Sequence, residues 1–310
     1  MCAARAARAA VDVGSNSVRL LVHAADGQRL TREMTVTRLG TGVDRRGRLD
    51  DDALARTIAT IAAYRQVWEG YGVRDRVRIA ATSAVRDAAD RERFFTGVRE
   101  VAGLEAEVLT GAEEAALAFL GATGAVQVPR PAAVIDIGGG STEVVVGTEQ
   151  GAQAGASVQL GCVRLTERHL QADPPHHSQL DAGRAMVGHR LDEVDAQLGA
   201  AGWRVADAAA LVAVAGTATT LGALYLGLDT YEESAIHGVS IPAPALDVLT
   251  ERLVAMTSAQ RAALGPMQPG REDVIHGGAL VLAATVRRYG FDEVVVSEAD
   301  SLDGLVASLA

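Results

Sequence analysis

Short apolar runs alternate along the chain with helical stretches, the pattern of an α/β protein. Residues 9–13 and 18–24 read as strands, and residues 32–38 as a third strand of alternating polarity. After two loops rich in Gly, Arg and Asp, a helix is expected over 51–69. Its acidic start is what the helix dipole favours. A strand over 77–81, a helix over 90–101, a strand over 106–109 and a helix over 112–120 follow. Residues 121–131, with Gly121, Gly124, Pro129 and Pro131, read as a linker. Beyond it the opening pattern returns as a strand over 132–137, a turn over 138–141 and a strand over 142–147. The remainder reads as helices over 163–170 and 180–198, a strand over 211–215, and helices over 217–226, 245–256 and 273–289. A strand over 293–296 and a terminal helix close it. Two domains are expected, 1–122 and 123–310, with the helix at about 301–310 packing back on the first.

At 310 residues, 48% hydrophobic and 22% charged, the chain has the profile of a soluble globular protein with room for two ordinary domains. No apolar run approaches the roughly 20 residues of a membrane span, so no membrane partner is expected. The N-terminal segment has no apolar core of a signal peptide, so a cytoplasmic location is expected. Two cysteines, Cys2 and Cys162, make neither a disulfide framework nor a four-cysteine zinc site. A net charge of −10 argues against non-specific nucleic-acid binding. It does not exclude a polyanionic substrate, because a metal ion and a few arginines can reverse the potential inside a cleft. All 29 basic residues are arginine. That excludes the phosphate-binding lysine of Walker loops and kinases, and every Schiff-base mechanism.

One turn occurs twice. Asp12-Val13-Gly14-Ser15-Asn16-Ser17 is matched, 124 positions later, by Asp136-Ile137-Gly138-Gly139-Gly140-Ser141. In both, an apolar strand ends near Asp, turns through Gly and Ser, and returns as a second strand. Two such units suggest related domains facing each other across a cleft. Glycine admits close approach to the main chain, and successive N–H groups in such a turn form an anion-binding nest. The hydroxyls of Ser15, Ser17, Ser141 and Thr142 add donors. Asp12 and Asp136 stand where a hard cation such as Mg²⁺ bridges carboxylate and phosphate. The alternative is a pair of hairpin turns with Gly for geometry and Asp as a turn cap.

Residues 12–21 (DVGSNSVRLL), 81–88 (ATSAVRDA), 111–115 (GAEEA), 136–143 (DIGGGSTE), 161–167 (GCVRLTE), 216–221 (GTATTL) and 297–304 (SEADSLDG) resemble, in order and across nearly the whole chain, the exopolyphosphatase/guanosine pentaphosphate phosphohydrolase family. The combination of DIGGGSTE with an upstream GxEEA is specific. The resemblance implies a two-domain actin-like ATPase fold with an interdomain cleft, of the short type. It also implies Mg²⁺-dependent release of terminal orthophosphate from inorganic polyphosphate, or from pppGpp at the same site, and a homodimer. A non-catalytic polyphosphate- or ppGpp-sensing member and a kinase of the same fold are the other readings.

By the same resemblance Glu114 activates the attacking water, with Asp136 as the second catalytic carboxylate. Read without it, Glu113 and Glu114 are acidic residues favoured by a helix's first turn. Where the family often has Arg two residues beyond this glutamate, the chain has Ala116. Arg19 and Arg86 are candidate phosphate clamps, since a guanidinium fork suits phosphate oxygens; each is otherwise a surface ion-pair partner. Ser83 can donate to the same phosphates. Glu143 either shares a metal with Asp136 or orients water. Asp12, Gly14, Ser15, Asn16, Ser17, Gly138, Gly139, Gly140, Ser141 and Thr142 complete the expected substrate-binding set. The segment Gly216–Thr220 is either a second anion site or a polyhydroxyl helix cap. The Arg45-Arg46-Gly47-Arg48 cluster is a solvated loop, or a guide for a polyanion if it faces the cleft. His176 and His177 read as solvated, and Cys162 as a small buried residue.

Overall fold

A computed structural model describes residues 7–309; Cys2 and the first six residues, on which the signal-peptide reading rests, lie outside them. The first lobe opens as an antiparallel meander of β1 (Arg8–Val13), β2 (Ser17–His23) and β3 (Arg29–Val36). It continues through α1 (Val43–Arg46), α2 (Asp51–Gly70), β4 (Val77–Ala81), α3 (Ser83–Asp87), α4 (Glu92–Ala102) and β5 (Ala106–Val108). The sheet runs β3-β2-β1-β4-β5, with β4 and β5 parallel to β1. Every residue of β1 is buried, as expected of a central strand covered on both faces. Asp50 caps α2 by accepting from the Ala53 amide at 3.1 Å. Ile61, Tyr64 and Trp68 on α2 and Phe94 and Val98 on α4 cover one face.

The second lobe repeats this plan. After α5 (Gly111–Ala125) come β6 (Ala132–Ile137), β7 (Thr142–Thr148), β8 (Gly151–Val158), α6 (Cys162–His169), α7 (His177–Ala200) and β9 (Ala210–Val214). Then follow α8 (Ala215–Tyr225), α9 (Glu233–Ile236), β10 (Ser240–Pro242), α10 (Ala243–Ala255), α11 (Ser258–Ala262), α12 (Ile275–Tyr289), β11 (Glu293–Val296) and α13 (Ser301–Ala307). The strand order is β10-β11-β9-β6-β7-β8. Its core, β8-β7-β6-β9-β11, reproduces the first sheet position for position. This is the doubled α/β architecture expected from the repeated turn.

Two strands escape the sequence pattern. β8 (GAQAGASV) has no β-branched residue before its last position, so local preference is weak. It forms because β7 offers a free edge, to which β8 pairs from Thr142↔Val158 to Thr148↔Gly151. β10 is only three residues long. The expected linker also differs: α5 continues through Gly121 and Gly124 to Ala125, so a boundary between 122 and 123 falls inside a helix.

The reason is tertiary. On the second sheet, α5 packs Ala115, Ala118, Phe119 and Ala122 against Val134, Val145, Val212 and Val214. On the first, α13 packs Leu302, Leu305 and Val306 against Ala10, Leu21 and Ala80. The two helices touch each other backbone to backbone. A Cβ at Gly121 would overlap the Asp300 carbonyl, and one at Gly304 the Leu117 carbonyl. Among the described residues no helix is long and apolar enough to cross a membrane.

Gly121 and Gly124 lie one turn apart in sequence yet have opposite surroundings, since nothing lies within 4 Å of a Cβ at Gly124. Gly121→Ala should therefore lower stability by about 1–3 kcal/mol through overpacking. Gly124→Ala should raise it by about 0.5–1 kcal/mol through helix propensity. Urea denaturation of both variants checks this; equal shifts would contradict the helix contact.

Candidate active site

The two repeated turns meet face to face between the lobes. Each is closed by the same bond, Gly14 N–H to the Ser17 carbonyl at 3.0 Å and Gly138 N–H to the Ser141 carbonyl at 3.0 Å. The outward carbonyls of both are satisfied from behind. Ser15 and Asn16 carbonyls accept from the amides of Gly40, Thr37 and Arg38, while Gly138 and Gly139 carbonyls accept from Cys162, Val163 and Arg164. The amides of Ser15, Asn16, Gly139 and Gly140, by contrast, have no acceptor among the described residues. Unpaired N–H groups gathered in two opposed turns are a donor set suited to an anion. A Cβ at Gly139 would lie 2.9 Å from Ser15 Cβ, and one at Gly140 2.6 Å from Ser83 Oγ. Only glycine lets the turns come this close. Ser15 and Ser83 hydroxyls bond each other at 2.9 Å at the same contact.

Carboxylates crowd the cleft. Thr110 and Glu113 form a capping box at the start of α5, Glu113 Oε2 accepting from the Thr110 amide at 2.8 Å. That use of Glu113 leaves Glu114 turned inward, 8% exposed. Arg86 Nη1 donates to Glu114 Oε2 at 3.2 Å and to the Leu109 carbonyl at 3.0 Å. Burial, and then the neighbouring Glu143, push the Glu114 carboxyl well above the ordinary carboxylate range, Arg86 opposing. Asp136, 5% exposed, is raised by burial and then by Asp300. It lines the cleft with no hydrogen-bond or ion-pair partner among the described residues.

Strand register shows how the two repeats differ. Asp12 lies opposite Arg19 across β1 and β2, and Asp136 lies opposite Glu143 across β6 and β7. The first pair neutralises itself: Arg19 Nε donates to Asp12 at 3.1 Å, and its other nitrogens reach Asp12, Asp300 and Ser301. The second is two carboxylates. Ser157 Oγ donates to Glu143 at 2.7 Å, and burial and Asp136 push Glu143 up to about 8. An unpartnered buried carboxylate facing a second one is a donor set suited to a hard divalent cation. Among the described residues no three His, Cys, Asp or Glu side chains form a ready-made metal cluster.

Several expected residues stand elsewhere than the motif suggests. Thr142 is fully buried and its hydroxyl donates to the Leu160 carbonyl, so it is a structural bond rather than a donor to the cleft. Its side chain alternates away from the cleft on β7. Glu143 sits behind the cleft wall, and Gly140 borders a neighbouring cavity. Arg19 lines the cleft with its guanidinium already committed to carboxylates; despite burial, Asp300 and Asp12 raise its pKa. The Arg45–Arg48 cluster, expected as a loop, begins within α1 and does not line the cleft. Arg46 pairs with Asp50, Arg48 with Asp90, and Arg45 borders a separate cavity with α6, α11 and α12. His176 and His177 are exposed, and Cys162 is buried, with its thiol pKa raised by burial.

Two contributors carry no motif that sequence reading could weigh. Arg271, just before α12, lies against Gly216 and lines the cleft; among the described residues it bonds Gln268 and Met34 and has no carboxylate within ion-pair distance. Burial pushes its pKa down, the mark of a cation lacking its counter-charge. Ala215, preceding Gly216 at the start of α8, is held at φ 61°. A non-glycine residue there costs about 1–2 kcal/mol. Gly216 and Thr217 open α8 onto the cleft beside Arg271, while Thr219 and Thr220 are buried.

Comparison with known proteins agrees with this arrangement. The Ppx/GppA phosphatase family matches residues 21–310. Exopolyphosphatase 2 of Mycobacterium tuberculosis is 43% identical, with 97% of this chain and 98% of that protein covered. Among solved structures, an exopolyphosphatase from Cytophaga hutchinsonii superposes with a TM-score of 0.86 at 25% identity, covering 98% of this chain and 97% of that one. The Ppx/GppA family member of Aquifex aeolicus does so with a TM-score of 0.81 at 28% identity, covering 98% and 97%. The shared fold, the paired turns and this near full-length likeness together establish that the chain belongs to the Ppx/GppA phosphatase family.

Proposed function

We propose that the chain is a divalent-cation-dependent exopolyphosphatase, releasing terminal orthophosphate from inorganic polyphosphate. The observation that carries this reading is the pair of opposed turns whose free amides converge within one cleft with Glu114. The name of the 43% identical M. tuberculosis protein supports the same reaction. The cleft also has no aromatic side chain among its lining residues, so nothing there stacks on a purine. That favours a bare phosphate chain over pppGpp.

In this reading the amides of Ser15, Asn16 and Gly139, with the hydroxyls of Ser17, Ser83 and Ser141, hold the terminal phosphate. Arg271 offsets its charge from the α8 side. Glu114 accepts the proton of the attacking water, and Arg86 holds that carboxylate in place. Arg19 keeps Asp12 and Asp300 neutralised at the cleft edge. Asp136, backed by Glu143, would hold Mg²⁺, which when bound supplies charge neutralisation to the phosphate oxygens. Most of the acceleration then comes from positioning and preorganised charge.

A side-by-side orthophosphate-release assay on short polyphosphate, long polyphosphate and pppGpp, with and without Mg²⁺, tests the assignment. Release from polyphosphate is expected; release from pppGpp alone would overturn the substrate class. Glu114→Gln should lower kcat by about 10²–10⁴-fold with substrate binding retained; a near-normal kcat would remove it as base. Because the ionised carboxylate is the active form and its pKa is raised, kcat/KM should rise with pH through that value. Arg271→Gln should lower kcat/KM by about 10–100-fold, the loss of one charge-assisted hydrogen bond.

Carboxylates raised above their unfolded values bind protons on folding, so the metal-free protein loses stability as pH rises from about 4.5 through about 8. Mg²⁺ should restore it, by about 2.7 kcal/mol at a hundredfold excess over Kd. Glu143→Gln should raise the metal-free Tm at pH 8 and shrink the Mg²⁺ increment. Calorimetry showing neither change would take Glu143 out of the cation site.

A further inference from the structure

The second turn is built differently from the first at one peptide. A trans peptide is planar, so its C=O and N–H point in opposite directions. Turning a carbonyl out of the cleft therefore turns the next residue's N–H toward it. In the first turn the Ser15 and Asn16 carbonyls are held by backbone amides, those of Gly40, Thr37 and Arg38. In the second, Gly138 and Gly139 carbonyls are likewise held by the amides opening α6, those of Cys162, Val163 and Arg164. The Gly140 carbonyl has no backbone donor among the described residues. Its partner is a side chain: Arg164 Nε donates to it at 2.7 Å. That bond orients the peptide whose N–H belongs to Ser141, a residue lining the cleft.

Arg164 is itself held from the opposite lobe. Its guanidinium is only 8% exposed; Nη1 bonds Asp44 on α1, and Nη2 bonds Asp87 on α3 at 2.7 Å. Arg168, one turn further along α6, shares Asp44, and Glu167 accepts from the Gly42 amide at 3.2 Å. Asp87 directly follows Arg86, the partner of Glu114, and α3 also carries Ser83. One side chain thus joins the glycine turn of one lobe to the helix that carries the other lobe's site residues. With the lobes apart, both carboxylates leave the guanidinium, and nothing else fixes its Nε on the Gly140 carbonyl.

We infer that Arg164 is a positioning residue that completes the second phosphate-binding turn only when the lobes are closed, so that substrate binding and closure are one event. The inference rests on the reading of the cleft as a phosphate site. Without the guanidinium the 140–141 peptide is free to rotate, and a carbonyl oxygen facing phosphate repels it.

The test compares wild type with Arg164→Gln, Arg164→Lys, Asp87→Asn and the Arg164→Gln/Asp87→Asn pair, with Arg184→Gln as the control for loss of an exposed ion pair. Kinetics of orthophosphate release from polyphosphate and hydrogen exchange at the Ser141 amide are measured on each. Arg164→Gln should raise KM about tenfold, the share of one hydrogen bond to a charged group, and speed exchange at Ser141. Lysine, which lacks the fork, should rescue little. Asp87→Asn should raise KM by a smaller factor, and the double variant should be no worse than Arg164→Gln, since the two act in series. A merely structural role would lower the active fraction and kcat while leaving KM unchanged. That result overturns the inference, as does an unaltered Ser141 amide or an additive double variant. Should Arg164→Gln not fold, the Asp87→Asn comparison decides by the same criteria, because Asp87 is on the edge of the contact. If wild type releases no orthophosphate from polyphosphate, the reading of the site fails, while the exchange comparison still decides the role of Arg164.

Discussion

Backbone amides with no acceptor inside the protein are the constraint around which this molecule is arranged. Peptide groups in a folded chain are almost always paired, yet four amides in the two opposed turns have no acceptor among the described residues. Everything nearby follows from keeping them so. The turns are glycine and serine because any larger residue at Gly139 or Gly140 would strike Ser15 or Ser83. Their carbonyls are tied back by the segments that follow β3 and β8. The lobes carry them on central strands with no exposed residue, β1 and β6, so the turns stand on the stiffest part of each sheet.

The doubled architecture explains the chemistry through the place where the doubling breaks. At matching positions across the hairpins, one lobe has Asp12 with Arg19 and the other Asp136 with Glu143. The first pair closes on itself and contributes rigidity. The second sets two carboxylates side by side, where burial favours their protonated forms. Ionising both beside a phosphate chain would call for a cation. The asymmetry thus gives the repeated turn different surroundings in the two lobes: an ion pair in one, a carboxylate pair in the other.

Much of the site was legible because its parts are short motifs. Local pattern points to both turns, Arg86 and Ser83, and the family resemblance to Glu114; the structure brings all of them to one cleft or its wall. Thr142 was named for its hydroxyl, yet strand alternation buries it on the far side, where it bonds Leu160. No local pattern distinguishes Arg271 from the other arginines; only its placement in the cleft against Gly216 does, and that exists once the segments before α8 and α12 are packed together. The resemblance singles out Glu114 over Glu113, and the capping box that holds Glu113 supplies the physical reason.

Apolar runs and turn residues by themselves determined the α/β class, most strands and helices, and the repeat, because these depend on burial periodicity within a few residues. Tertiary structure decided that Gly121 belongs to a helix rather than a linker, since its bare backbone is where α13 crosses α5. It likewise decided that β8 is a strand, through the open edge of β7. Which charges pair and which are left alone was settled there too. Coulomb interaction and desolvation depend on distances between segments far apart in the chain, and those distances exist only once both sheets have formed.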